Sequence, residues 1–160
     1  MSPTLKKYLD ENQVPYEVTT HPEAYTSQEI AAMLHKTGKR LAKVVMVKAG
    51  DQWVMCVLPA HELIDIGRLE KVLESKPVRL ATEEEFKSLF PDCDVGAMPP
   101  FGNLYNNIPI YLDERLAQYN QFYFEGGSHT ETVTMSMADY RRLVSPKIAL
   151  FGRFSRPKAA

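Results

Sequence analysis

Apolar residues recur along this chain with two spacings, one typical of helices and one typical of strands. Recurrence every three or four residues predicts amphipathic helices, which cover residues 5–12, 28–36, 62–75, 83–90, 113–118 and 136–143. Gly67 interrupts the pattern early in the third of these, so we expect two short helical pieces there. Alternating or continuous β-branched runs predict strands, over residues 14–21, 41–48, 52–58, 78–81, 108–112, 121–124 and 130–135.

The order of these elements indicates the fold class. Ala49, Gly50 and Asp51 separate the runs 41–48 and 52–58, and a short glycine-containing turn between two such runs predicts a β-hairpin. The sequence has neither a Gly-x-Gly-x-x-Gly loop nor a Walker-type loop, so a doubly wound nucleotide fold is not indicated. Short helices and strands that interleave irregularly favour a mixed sheet with flanking helices.

Composition narrows the class of protein further. A chain of 160 residues with 44% hydrophobic content fits one compact domain. The chain has 19 basic and 20 acidic residues, so its net charge is close to zero. A polyanionic partner must therefore be held by a local basic patch and not by net charge. We see no membrane-length apolar run and no signal-peptide pattern, so we expect a cytoplasmic protein without a membrane partner. Cys56 and Cys93 lack metal-type spacing, so we expect no metal.

Two glycine-containing stretches carry most of the candidate chemistry. The first is Gly-Ala-Met-Pro-Pro-Phe-Gly at 96–102, and the second is Glu-Gly-Gly-Ser-His-Thr at 125–130. The glycines allow unusual dihedral angles and the Pro-Pro pair between them restricts the backbone, so the loop can take such angles and hold them rigidly, which suits a loop that shapes a pocket. A plain surface loop is the alternative for 96–102.

Single residues outside those loops also have two interpretations. Lys43 lies in an apolar strand, where a lysine either reaches an edge with its ammonium or meets a negative partner. His129 follows Gly-Gly-Ser, where an imidazole can point into a cleft or cap the turn. Residues 147–160 contain four basic residues around two phenylalanines, and we interpret them as a docked or disordered tail.

Three motifs in this order resemble the YbaK/prolyl-tRNA-editing family of aminoacyl-tRNA deacylases. They are Ala-Lys-Val-Val at 42–45, Gly-Ala-Met-Pro-Pro-Phe-Gly at 96–102 and Phe-Glu-Gly-Gly-Ser-His at 124–129, and the resemblance covers residues 5–143. It implies an α+β fold, a single-domain, mixed, barrel-like β-sheet surrounded by helices. The domain would occupy residues 1–146, followed by the basic aromatic tail 147–160. The Phe-Gly ending of the first loop is similar to the alanyl-tRNA(Pro) trans-editing branch.

The resemblance also implies a set of site residues. Lys43 matches the essential lysine of the family, Gly96 belongs to the Gly-x-x-x-Pro loop, and His129 matches the histidine after Gly-Ser; these three are the predicted catalytic residues. The residues predicted to bind substrate come from the same loops and from the amino-terminal region: His21, Thr26, Met98, Pro100, Phe101, Gly102, Gly127 and Ser128. The chain departs from the family pattern at Pro99 and in its tail.

The implied activity is hydrolysis of a mischarged aminoacyl-tRNA, with tRNA(Pro) as the expected carrier and prolyl-tRNA synthetase as a possible partner. An aminoacyl ester is already activated, so its hydrolysis needs a positioned water and oxyanion stabilisation more than a protein nucleophile. No cofactor and no DNA are expected. A cysteinyl-tRNA(Pro) deacylase and a non-catalytic tRNA-binding or synthetase-associated module are the alternatives.

Overall fold

Five α-helices and ten strands make up the part of the chain that the computed structural model describes, which is residues 1–26, 29–30, 32 and 38–154. The helices are α1 (Pro3–Glu11), α2 (Ile66–Leu73), α3 (Glu83–Phe86), α4 (Glu114–Ala117) and α5 (Met137–Val144). The strands are β1 (Tyr16–Thr20), β2 (Ala42–Ala49), β3 (Gln52–Pro59), β4 (Glu62–Ile64), β5 (Val78–Leu80), β6 (Ile110–Asp113), β7 (Gln121–Glu125), β8 (Glu131–Ser136), β9 (Lys147–Ala149) and β10 (Gly152–Phe154).

The strands form three sheets. The largest has the order β5-β2-β3-β6-β9, with β2 antiparallel to both β5 and β3, and with β6 parallel to both β3 and β9. A second, antiparallel sheet has the order β1-β8-β7, and β4 pairs with β10. A single parallel bridge between Leu41 and Tyr123 connects the start of β2 to β7. The mixed α+β class is confirmed, although the described strands do not form a closed barrel.

The core explains why β2 is apolar from Val44 to Val47 and β3 from Trp53 to Pro59. One face of this hairpin contributes Met46, Met55 and Val57 to the main core, which also contains residues of β6, β7, β8, α1 and α5. The other face contributes Val47 and Cys56 to a second cluster under α2. Because both faces are covered, the strands read as continuous hydrophobic runs, as buried strands do.

Helix starts follow the capping signals of the sequence. The side chain of Ser2 accepts a hydrogen bond from the backbone N–H of Leu5 and caps α1. Thr82 and Glu85 form both hydrogen bonds of a capping box at α3, as the sequence predicts. Each such cap satisfies backbone donors that a helix start otherwise leaves unpaired.

The prediction of two helical pieces over residues 62–75 is partly wrong. Glu62–Ile64 is strand β4, and only Ile66–Leu73 is helical, capped by Asp65. The strand forms because β10, some ninety residues later, supplies its hydrogen-bond partner. The side chains then alternate, with Glu62 buried and Leu63 exposed.

Two other predicted helices differ from expectation for different reasons. The helix predicted over 83–90 is α-helical only to Phe86 and continues as a 3₁₀ turn over Lys87–Leu89. The helix predicted over 28–36 falls largely outside the described residues. The first part of the predicted tail is docked, because β9 lies beside β6, β10 lies beside β4, and Phe151 between them is fully buried.

Candidate active site

Lys43 is the second residue of β2 and lies at the end of the hairpin that faces β7. Its side chain is half-buried, and this burial lowers the pKa of the ammonium, while the carboxylate of Glu62 acts in the opposite direction. Among the described residues, none forms a hydrogen bond or an ion pair with the Lys43 ammonium. An ammonium that is partly removed from water and has no protein partner is available to an anionic ligand.

The Lys43 side chain lines a cleft with a volume of about 290 Å³. Five different parts of the chain build its walls: β2, the residue after β3, the loop after β1, the loop that follows α3 and the end of β7. The polar and backbone groups that face it come from Tyr25, Lys43, Ala60, Gly96 and Glu125. Lys43 and Gly96, which belong to different motifs, therefore line the same cleft.

Two hydrogen bonds tie the two glycine-containing loops to each other. The backbone N–H of Asp94 donates to the carbonyl oxygen of Gly127 at 2.8 Å. The imidazole of His129 bonds through Nε2 to the carbonyl oxygen of Val95 at 3.0 Å. Gly96 comes next in the chain, with a φ of +86°, a conformation that side chains with a Cβ rarely adopt. The cleft wall at Gly96 is thus fixed by the neighbouring loop.

Glu125 and His129 form an incompletely bonded pair at the back of the cleft. The carboxylate oxygen Oε2 of Glu125 lies 3.2 Å from Nδ1 of His129. The orientation does not meet hydrogen-bond geometry, and within the described part of the chain both atoms are buried without a hydrogen-bond partner. Two such atoms in one cleft are unusual, because buried polar atoms normally have partners.

The contacts of the imidazole determine where its protons lie. A carbonyl oxygen only accepts, so Nε2 of His129 must carry the proton that bonds to Val95. Nδ1 then faces Glu125 Oε2, and one proton must lie on one of these two atoms if they are not to repel each other. Burial raises the pKa of Glu125 to about 7, and the nearby His129 opposes this shift. The pair can therefore accept or release a proton near neutral pH.

Residues 21–143 match the family model described as the aminoacyl-tRNA editing domain. This chain belongs to that family. The family predicted from the three motifs is confirmed, and Lys43, the 96–102 loop and the Glu125–His129 pair all lie within the matched residues.

Relatives and solved structures of this editing domain agree with the match. The proline–tRNA ligase of Macrococcus caseolyticus (strain JCSC5402) is 28% identical over 72% of the chain, which spans only 19% of that protein. The multifunctional Ser/Thr-tRNA deacylase ProXp-y of Escherichia coli (strain K12) is 24% identical over 91% of the chain and 89% of the relative. The structure of a candidate trans-editing enzyme for prolyl tRNA synthetase has a TM-score of 0.81 and 21% identity, and covers 96% of this chain and 99% of the other.

The remaining residues of the 96–102 loop of the editing domain lie behind the cleft and not on its wall. Met98, Pro100 and Phe101 are buried. The carbonyl oxygen of Pro100 accepts a hydrogen bond from the hydroxyl of Tyr140 at 2.7 Å, and the ring of Phe101 packs edge-on against the same tyrosine. A Cβ on Gly102 would lie 2.6 Å from a backbone oxygen, so this position is a glycine for lack of space. The rigid loop therefore supports Gly96 from the core.

Gly127 and Ser128 hold the second loop in shape. A Cβ on Gly127 would lie only 2.9 Å from the Cβ of Ser2, so the glycine allows the start of α1 to pack against the turn. The hydroxyl of Ser128 is hydrogen-bonded to that of Thr130 at 3.2 Å and accepts from the backbone N–H of Thr130. These contacts position His129, which comes between Ser128 and Thr130.

His21 and Thr26 position the loop after β1. The ring nitrogens of His21 bond to the carbonyl oxygen of Pro22 at 2.8 Å and to the hydroxyl of Thr132 at 2.9 Å. The hydroxyl of Thr26 accepts a hydrogen bond from the backbone N–H of Glu29, the arrangement of a helix cap. Both side chains are engaged in these contacts, and the residue between them that reaches the cleft is Tyr25.

Sequence reasoning missed two residues of the cleft, Glu125 and Tyr25. The ring of Tyr25 stacks on that of His129 with centroids 4.5 Å apart. Glu125 directly follows three consecutive aromatic residues of β7 and precedes His129 by four positions. An acidic residue at the end of such an apolar run was the signal that could have identified it, since a buried carboxylate usually has a specific role.

The structure carries no obvious metal centre among the residues it describes. No group of three His, Cys, Asp or Glu side chains in residues 1–26, 29–30, 32 and 38–154 comes together in a way that could hold a metal ion. None of the described helices is long and apolar enough to cross a membrane.

Proposed function

We propose that this editing domain is a deacylase that hydrolyses the aminoacyl ester of mischarged tRNA, with alanyl-tRNA(Pro) as its main substrate. The observation that carries the proposal is the cleft itself, which is lined by a lysine ammonium without a partner among the described residues and by the carboxylate of the Glu125–His129 pair. Lys43 and Glu125 both line this cleft, and His129 lies directly behind it. Ester hydrolysis at a nucleotide needs these two features, a cation for the phosphate or ester oxygen and a group that accepts a proton.

In this proposal Lys43 holds the acylated 3′ end. Its ammonium acts as a point charge on the phosphate of the terminal adenosine or on the ester oxygen. Because the ammonium is half-buried, its attraction for an anion is weakened less by water than it would be at the surface. The backbone of Gly96 forms the wall beside which the aminoacyl group lies.

The Glu125–His129 pair handles the proton of the attacking water. The water oxygen forms a bond with the ester carbonyl carbon, its proton passes to Glu125, and the bond between that carbon and the ribose oxygen breaks. The proton that Glu125 received then passes, through the vicinal ribose hydroxyl, to the ribose oxygen as it leaves. The products are the free amino acid and the 3′ hydroxyl of the tRNA, and no protein nucleophile is required.

A second substrate class is favoured by the polarity of the cleft. Oε2 of Glu125 and Nδ1 of His129 have no hydrogen-bond partner among the described residues and could bond to a side-chain hydroxyl, which an alanyl group lacks. The relative ProXp-y is named as a deacylase of Ser- and Thr-tRNA. Seryl- and threonyl-tRNA are therefore the alternative substrates of this chain, ahead of cysteinyl-tRNA(Pro).

A panel of mischarged tRNAs tests the proposal. The purified chain is incubated with alanyl-, seryl-, threonyl-, cysteinyl- and prolyl-tRNA(Pro), and the loss of the ester is followed with time. We expect alanyl-tRNA(Pro) to be hydrolysed fastest and prolyl-tRNA(Pro) slowest. Preference for the hydroxyl-bearing amino acids would favour the second substrate class. Binding of tRNA without any ester loss would leave the non-catalytic module as the function.

A further inference from the structure

A second pocket lies beside the active-site cleft and has no part in the proposed hydrolysis. Its volume is about 230 Å³. It lies between the β4–β10 pair, α4 and the residues just before β2, and its lining includes Lys39, His61, Glu62, Arg115, Tyr119 and Phe154. Three aromatic or imidazole rings and two cations thus surround a space that is open to solvent.

Rings and cations of this pocket lie close to one another. The guanidinium of Arg115 forms an ion pair with the buried carboxylate of Glu62 at 2.6 Å and lies over the ring of Phe154 at 4.5 Å. The ring of His61 is 6.0 Å from that of Phe154. Aromatic rings and guanidinium planes are the surfaces on which bases of single-stranded nucleic acids stack.

The charge of the pocket favours an anionic ligand. Glu62 is its acidic group and is already paired with Arg115. Lys39 adds a further positive charge at the wall, and the guanidinium of Arg40 lies 5.4 Å from the centre of the Tyr119 ring. A positively charged wall beside stacked rings matches the alternation of phosphate and base along a nucleotide chain.

The pocket and the cleft lie next to each other at the end of β3. Ala60 lines the cleft, and the residues on either side of it, Pro59 and His61, line the second pocket. The carboxylate of Glu62 also acts on the pKa of Lys43, so the two sites share one charged group between them. A chain of nucleotides that ends in the cleft is therefore within reach of this pocket.

We propose that this second pocket binds the nucleotide that precedes the terminal adenosine of the acylated 3′ end, by stacking of its base and by contact of its phosphate with the cations. The inference rests on the proposed deacylase function of the cleft. Phe154 lies beyond residues 21–143, which the family model matches, so one wall of the pocket comes from the tail. The tail thereby extends the binding surface from one nucleotide to two.

Two substrates that differ in the presence of the nucleotides before the terminal adenosine provide the test. The full chain and its Phe154→Ala variant are assayed with 3′-alanyl-adenosine and with the alanyl ester of the trinucleotide CCA. Phe154 is 60% exposed, so the variant should fold, which its melting temperature verifies. Leu80→Ala is the matched control, because Leu80 is a similarly exposed apolar residue on β5, at the opposite edge of the large sheet from β9.

We expect Phe154→Ala to raise KM for the trinucleotide ester by at least about fivefold, the lower end of what one base–aromatic stack contributes. Its kcat on that ester, and its hydrolysis of 3′-alanyl-adenosine, should match the unsubstituted chain. Equal KM values for the trinucleotide ester in the variant and the unsubstituted chain would overturn the inference and leave the deacylase function standing. Failure of the unsubstituted chain to hydrolyse either ester would overturn both.

Discussion

Single residues decide the chemistry of the cleft, and the informative ones are those whose hydrogen bonds are incomplete. Lys43, Glu125 and His129 each have a buried or half-buried polar atom that no described residue satisfies. Such atoms cost stability, since burial removes water without supplying a partner. A ligand that supplies the missing partners would recover part of this free energy on binding.

Substitution of Lys43 is the most direct test of the cleft. Lys43→Ala should lower kcat/KM for alanyl-tRNA(Pro) by about a hundredfold or more, the loss typical when one positioned charge or donor is removed. Lys48→Ala is the matched control, because Lys48 is on the same strand but lies over the ring of Trp53 at its other end. Deacylation rates of the two variants, with melting curves to verify folding, decide the matter. A well-folded Lys43→Ala protein with unchanged turnover would remove this role.

Glu125 gives a pH-dependent prediction for stability. Its pKa is raised from 4.5 to about 7, so the folded protein holds this proton more tightly than the unfolded chain does. The free energy of unfolding should therefore fall as the pH rises from about 4.5 to about 7. Glu125→Gln should lose this fall and be the more stable protein above pH 7. Urea unfolding at pH 5 and pH 8 measures the effect, and an identical pH dependence in both proteins would contradict it.

The same substitution gives a prediction for activity. The titratable groups that face Glu125 are His129 on its own loop, Lys43 from β2 and Tyr25 from the loop after β1. If Glu125 accepts the proton of water, kcat/KM should rise through about pH 7, and Glu125→Gln should lose about a hundredfold at pH 8. Rate profiles from pH 5.5 to 8.5 test this. Full activity of the variant with an unchanged profile would assign the proton to another group.

At the scale of elements, the site depends on two loops that hold each other. Asp94 bonds to Gly127, and His129 bonds to Val95, so each loop helps to hold the other in place. The Pro-Pro stretch does not face the cleft but packs into the core, where the Pro100 carbonyl meets Tyr140. The loop therefore acts on the substrate through Gly96, and its rigidity matters because it fixes the position of that wall.

Pro100→Gly tests this rigid support. The variant should lose at least about 0.4–1 kcal/mol of stability, because the unfolded chain gains freedom and a buried ring is removed. It should also discriminate less between alanyl- and prolyl-tRNA(Pro). Binding of tRNA, which depends mainly on cationic contacts with phosphates, should change little. Pro109→Gly is the control, because Pro109 is exposed and precedes β6. If Pro100→Gly keeps both rate and selectivity, the rigid-wall explanation fails although the deacylase function survives.

At the scale of the whole molecule, the tail is part of the packed structure as far as residue 154. The carboxylate of Asp113 is buried and accepts hydrogen bonds from the backbone N–H groups of Phe151 and Gly152. The ring of Phe151 completes the second core cluster under α2. The segment is thus joined to β6 by β9, by this carboxylate and by an apolar anchor.

Two phenylalanines of the tail should therefore behave differently. Phe151→Ala should lower the free energy of unfolding by about 3–5 kcal/mol, as expected for a fully buried phenylalanine. Phe154→Ala should change it by less than about 0.5 kcal/mol, because the ring is largely exposed and surface changes are usually small. Urea unfolding of both variants measures the difference. Equal stabilities would mean that the tail does not contribute to the core in solution.

The amino-acid sequence alone determined the features that depend on residues close to one another in the chain. The β2–β3 hairpin, the capping box at Thr82 and the capped helices α1 and α5 all follow from local spacing and hydrogen-bonding side chains. The three motifs, read in order, were likewise sufficient to predict the family. Each of these signals lies within a few residues, where side-chain type and backbone preference act directly.

Only the tertiary structure decided which of the predicted site residues face the cleft. Phe101 and Pro100 belong to the same loop as Gly96, yet packing against Tyr140 turns them into the core. Strand β4 required a partner strand, β10, about ninety residues away. The Glu125–His129 pair depends on the shape of its turn, which the hydrogen bond from His129 to Val95 in the other loop holds in place. These are contacts between distant segments, and their free energy depends on how the whole chain packs, which no local pattern records.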